Sequence, residues 1–146
     1  MPLSAQNSSD RARQLLALTE RLTGRLTDEI GKLEAHRPQD LFEGIEETRN
    51  LSNLYRIESM RVKADPGLLK GITAQEKQAL VKATETFNDT LAHYERAVNA
   101  AKTVTEGIVS AIADDMNTCR AGTMTYGARG HTRPTGPQSL GSGRVA

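Results

Sequence analysis

TAQEKQALVKATETFNDTLAHYERAVNAAKTVTEGIVSAIADDMNT, residues 73–118, decides the fold. Thr73-Ala74-Gln75-Glu76 is a capping box, in which hydroxyl and carboxylate each satisfy one orphan amide of a helix start. Behind it a seven-residue repeat runs through Leu80, Thr84, Phe87, Leu91, Tyr94, Val98, Ala101, Thr105, Ile108 and Ile112. Steps of four and three make the seam of a left-handed coiled coil. Gly107 is the only glycine in the stretch and no proline interrupts it. The spacing predicts one helix of about 45 residues, roughly 68 Å long.

Upstream, Leu15, Leu18, Leu22, Leu26, Ile30 and Leu33 recur at three and four, one face of a helix over about 9–36. Ser8 and Ser9 offer its N-cap, and Asp10 suits the first turn. Pro38 is favoured at a helix's first position, so a second helix is expected over 38–64, with Leu41, Ile45, Leu51, Leu54, Tyr55 and Val62 inward. Pro38 either breaks the chain there or only kinks it, which leaves two architectures open. Asp65-Pro66-Gly67 is a turn signal, with the main connection over 65–72.

From Cys119 onward Gly, Thr, Pro, Ser and Arg dominate, a composition that cannot offset the entropy of ordering. The reading is therefore all-α: an elongated antiparallel helical hairpin or three-helix coiled-coil bundle over 1–118, then a disordered tail over 119–146. Composition agrees with a thin bundle, since the 146 residues hold 37% hydrophobic residues, 3% aromatics and no Trp.

The net charge is +1, but residues 117–146 carry Arg120, Arg129, Arg133 and Arg144 and no acid, leaving −3 on the rest. Four scattered arginines make no dense basic face, so nucleic acid is not an expected partner. No apolar run approaches the roughly 20 residues that span a bilayer, and no secretory signal opens the chain. A cytoplasmic protein without membrane insertion is expected.

Catalytic chemistry is not expected either. His36, His93 and His131 are far apart, and Asp89 with His93 gives two helix-face ligands where a metal needs more. Glu46-Glu47 and Asp114-Asp115 point to different sides of a helix. Cys119 has no neighbouring histidine to activate it, and one cysteine forms no internal disulfide. No catalytic residue, metal or cofactor is assigned.

Two features remain. Around Val104, Ile108, Val109 and Ile112, apolar residues cover a wider arc than one seam needs. They form an exposed platform for a partner helix, or Leu15 and Leu16 cover them. In the tail, Tyr126 stands between residues that give it no packing role, in Thr125-Tyr126-Gly127-Ala128-Arg129-Gly130. Chance placement of one tyrosine is the plain alternative.

The order of elements, Asn53-Leu54-Tyr55-Arg56 running to Lys63-Ala64-Asp65-Pro66-Gly67-Leu68-Leu69, and Val104-Thr105-Glu106-Gly107 resemble the FlgN family of flagellar type III export chaperones. Within that likeness the chain is closest to an alphaproteobacterial branch of flagellar basal-body proteins. The tail is similar to the Tyr-Gly-x-x-Gly of these chaperones. Pro38 departs from the uninterrupted first helix of many relatives.

The resemblance implies a chaperone that binds C-terminal segments of the hook–filament junction (hook-associated) proteins and delivers them to the export gate. Val104, Ile108, Val109 and Ile112 would meet the client, and Tyr126, Gly127 and Gly130 the gate component. The rival class is a non-catalytic coiled-coil structural or adaptor protein of flagellar assembly. Whether the chain is a homo-oligomer stays open.

Overall fold

The computed structural model describes residues 3–132, and side chains from 3 to 122. Its elements are α1 (Ser8–Glu34), a 3-10 turn (Pro38–Leu41), α2 (Ile45–Ala64), a second 3-10 turn (Pro66–Leu69) and α3 (Ala74–Thr132). The fold is all-α, with three helices and no strand among the described residues. The chain divides into two units, Met1–Lys102 and Thr103–Ala146.

α1 is capped one residue before the expected Ser8 and Ser9. Asn7 is the N-cap, and its side-chain oxygen accepts from the Asp10 amide at 2.8 Å. Ser9 instead donates its hydroxyl to Glu76 on α3. The Asp10 carboxylate accepts from the Gln6 amide at 3.1 Å, and that bond, followed by the Gln14 amide, holds Asp10 below the usual carboxylate range.

The expected single helix over 38–64 is divided, for a visible reason. His36 adopts a left-handed φ of 58°, and the Arg37 amide bonds back to the Lys32 carbonyl at 2.9 Å. These bonds close α1 as glycine does at other helix ends. Pro38 then opens only one 3-10 turn, and Gly44 at φ 92° starts α2. Gly44 suits its place because its φ disfavours a side chain, and a Cβ there would lie 2.2 Å from the Arg25 guanidinium and displace it. Pro38 therefore takes part in a reversal, not a kink.

Contacts within the first unit give the topology. Arg11 pairs with Glu58 at 3.2 Å, and Arg21 with Glu47, so α2 runs antiparallel to α1. Ser9 meets Glu76 and Glu34 meets His93, so the first part of α3 runs parallel to α1. Of the two architectures left open, the first unit is the three-helix bundle. The capping box forms as read, with the Thr73 amide donating to Glu76 and the Glu76 amide to the Thr73 hydroxyl, both at 3.0 Å.

Leu22, Leu26 and Phe87 form one buried cluster, with Leu51, Tyr55, Leu91 and Tyr94 packed around it. Ile30, Leu33 and Ala97 form a second, flanked by Leu41, Tyr94 and Ala101. Tyr55 and Phe87 stack tilted, with centroids 4.6 Å apart. Each fully buried leucine contributes about 1.5–3 kcal/mol by leaving water.

The seam of α3 differs from a strict heptad at two places. Thr84 and Val98 are exposed, and the smaller Ala83 and Ala97 turn inward beside them. The Thr84 hydroxyl turns back to the Leu80 carbonyl at 2.8 Å. Leu91, half-buried against the first cluster, keeps its expected place. Leu91→Asp is expected to cost about 2–3 kcal/mol through an unpaired charge at the cluster's edge. Chemical denaturation checks it, and an unchanged midpoint would refute the packing described here.

The interior also holds polar groups. Glu58 is 0% exposed, and its carboxylate takes Arg11 at 3.2 Å, Arg61 at 2.9 Å and the Leu3 amide at 3.4 Å. Glu29, nearly as buried, accepts from the Thr48 hydroxyl at 2.5 Å. Arg25 completes this second group, donating to Thr48 at 3.2 Å and to the Gly44 carbonyl at 2.9 Å. Burial first, then the Glu29 carboxylate, raises the Tyr94 phenol above its ordinary value.

Candidate functional site

α3 continues through Thr132, beyond the expected end near 118. No proline stands between Pro66 and Pro134, so nothing in the backbone stops it earlier. Residues 133–146, the remainder of the expected tail, lie outside the described residues.

In the second unit, Val104, Ile108, Val109, Ile112 and Met116 are between 49% and 60% exposed. Their positions cover roughly 140° of the helix at about 100° per residue. Four of them, Val104, Ile108, Ile112 and Met116, step by four along one ridge. Five large apolar side chains on one helical face, each half in water, are the kind of surface that a partner covers. The four client-facing candidates from the sequence thus share one exposed face, and Met116 extends it.

Leu15 and Leu16, the covering residues considered from sequence, pack within the first unit. Leu15 lines a groove of about 470 Å³ with Tyr55, Val62, Leu69 and Leu80. Leu16 lines a separate groove with Ala79 and Ala83. Both leucines are thus spent at the start of α3.

Tyr126, Gly127 and Gly130 fall in the last turns of α3 by backbone, and their surroundings lie outside the described residues. His93 does not join Asp89; its Nε2 lies 2.8 Å from the Glu34 carboxylate on α1. Among the described residues no group of three metal-ligating side chains occurs. No described helix is long and apolar enough to cross a membrane.

What sequence reasoning missed is the polar interior. Glu58 falls in phase with Leu51, Tyr55 and Val62, and Glu29 with Leu22, Leu26 and Leu33. A carboxylate on an apolar face was the available signal for both.

The class follows from comparison with known proteins: the chain belongs to a family of flagellar basal-body proteins. The relative that shows it is flagellar basal-body protein FlbY of Caulobacter vibrioides. It is 47% identical over 131 residues, which cover 89% of this chain and 88% of the relative. No family model matches the chain, and no solved structure matches it.

Proposed function

We propose that this protein is a cytoplasmic export chaperone of flagellar assembly, without catalytic activity. It holds the C-terminal segments of hook–filament junction proteins and delivers them to the type III export gate. The exposed face of Val104, Ile108, Val109 and Ile112 carries the reading. A client segment with its own apolar helical face would bury that face there and be kept from self-association. Family membership beside FlbY supports a role in flagellar assembly, and the FlgN likeness of the sequence favours the chaperone reading. A second site near Tyr126 would raise the client's local concentration at the gate.

Ile108→Asp tests the face. Ile108 is 55% exposed, so the variant should fold with stability within about 0.5 kcal/mol of the parent. Calorimetry with a junction-protein C-terminal peptide is expected to show binding by the parent chain and at least about tenfold weaker binding by the variant. Equal affinities would remove the face from the reaction. The relative's name also fits an adaptor that only links two components of the basal body, and that rival is separated by Tyr126 below.

A further inference from the structure

We propose that the helix received by the exposed face of α3 is amphipathic and presents a lysine or arginine to Asp115. The inference rests on reading that face as a binding site. The steps that lead through Ala101, Thr105, Ile108 and Ile112 continue to Asp115 and Cys119. Asp115 is exposed, and it lies one turn from Ile112 and two from Ile108, within the arc that runs from Val104 to Val109. An acid therefore stands at a seam position, where an all-apolar partner would strip its water and return nothing. A basic side chain from the partner meets it with opposite charge and fixes the register of the two helices.

The surrounding charge points the same way. Residues 103–122 carry Glu106, Asp114 and Asp115 against Arg120 alone, a formal −2. A second copy of this chain, paired parallel and in register, is the poorer occupant. Parallel in-register pairing would set Asp115 beside its own counterpart, and like charges directly opposed at an interface oppose association. A partner helix with a basic residue among its apolar ones answers both the shape and the charge of the face.

The probes are three synthetic amphipathic peptides of about three heptads, identical except for Lys, Leu or Glu at one central core position. The full-length chain is expected to bind the lysine peptide about tenfold more tightly than the glutamate peptide. Asp115→Lys should invert that order, and Ile108→Asp should weaken all three. Asp115→Leu should favour the leucine peptide. Equal binding of the lysine and glutamate peptides overturns the proposal, as does an order unchanged in Asp115→Lys or no binding of any peptide. A chain that sediments as a dimer, and becomes a monomer on Ile108→Asp, puts a second copy on the face and also overturns it. The charge preference without binding of junction-protein segments would sustain the proposal and defeat only the export reading. Junction-peptide binding indifferent to Asp115→Lys would do the reverse.

Discussion

Glu58→Ala is expected to destabilise the bundle by about 3 kcal/mol or more at neutral pH, a large share of what holds a domain of this size. The Glu58 side chain is 1% exposed and Arg11 beside it only 13%, so both charges were taken out of water to meet. Removing the carboxylate leaves Arg11 partly buried without its acceptor and strips the Leu3 amide of its own. Arg61 suffers less, because at 38% exposure it can turn to solvent. Arg11→Met combined with Glu58→Met removes both charges and keeps volume, so it should recover most of the loss. Denaturant titrations of the parent, the single and the double variant form the test. A single variant as stable as the parent would show that the pair contributes nothing.

Tyr126→Ala should have the largest effect on function with none on the fold. Residue 126 lies in a stretch whose Gly, Thr, Pro, Ser and Arg composition gives it no core to join, so stability is expected to stay within about 0.5 kcal/mol. Under the proposed chaperone role, an aromatic ring anchors the chain at the export gate, where few other contacts share the energy. Cells carrying the variant should therefore bind junction protein normally, retain it inside and assemble few filaments. An adaptor that only joins two components needs its helices and not this ring, so it predicts normal motility. Variant cells that swim and export as the parent does would leave the adaptor as the better description.

Much of the fold was legible in residue spacing because helices announce themselves locally. The capping box at Thr73 and Glu76, the α1 ridge from Leu18 to Leu33 and the turn at Asp65-Pro66-Gly67 depend on neighbours within a few positions. The direction of α2 was not legible. It depends on His36 in a conformation that non-glycine residues seldom adopt, and on Gly44 leaving free a space that Arg25 occupies. Neither could be read from Pro38 alone. The exposed face on α3 was half legible: the width of its apolar arc was visible, but whether Leu15 and Leu16 covered it depended on where α1 packs. The roles of Glu29 and Glu58 were hidden because glutamate on a helix is ordinarily a solvated residue.

The parallel run of α1 beside α3 has a consequence for synthesis. α1 buries Leu18, Leu22, Leu26, Ile30 and Leu33, but the partners that close over them include Phe87 and Ala97. The contact between Ser9 and Glu76 spans 67 residues of chain, and that between Glu34 and His93 spans 59. A nascent chain thus leaves the ribosome with its most apolar ridge uncovered on one side for several seconds, at about 5–20 residues per second. During that interval the α1–α2 hairpin is a sticky intermediate that cannot complete itself. A fragment ending at residue 72 is accordingly expected to bind an apolar-surface dye and to unfold without a cooperative transition. A fragment that melts sharply would mean that α1 and α2 finish their core before the third helix is made.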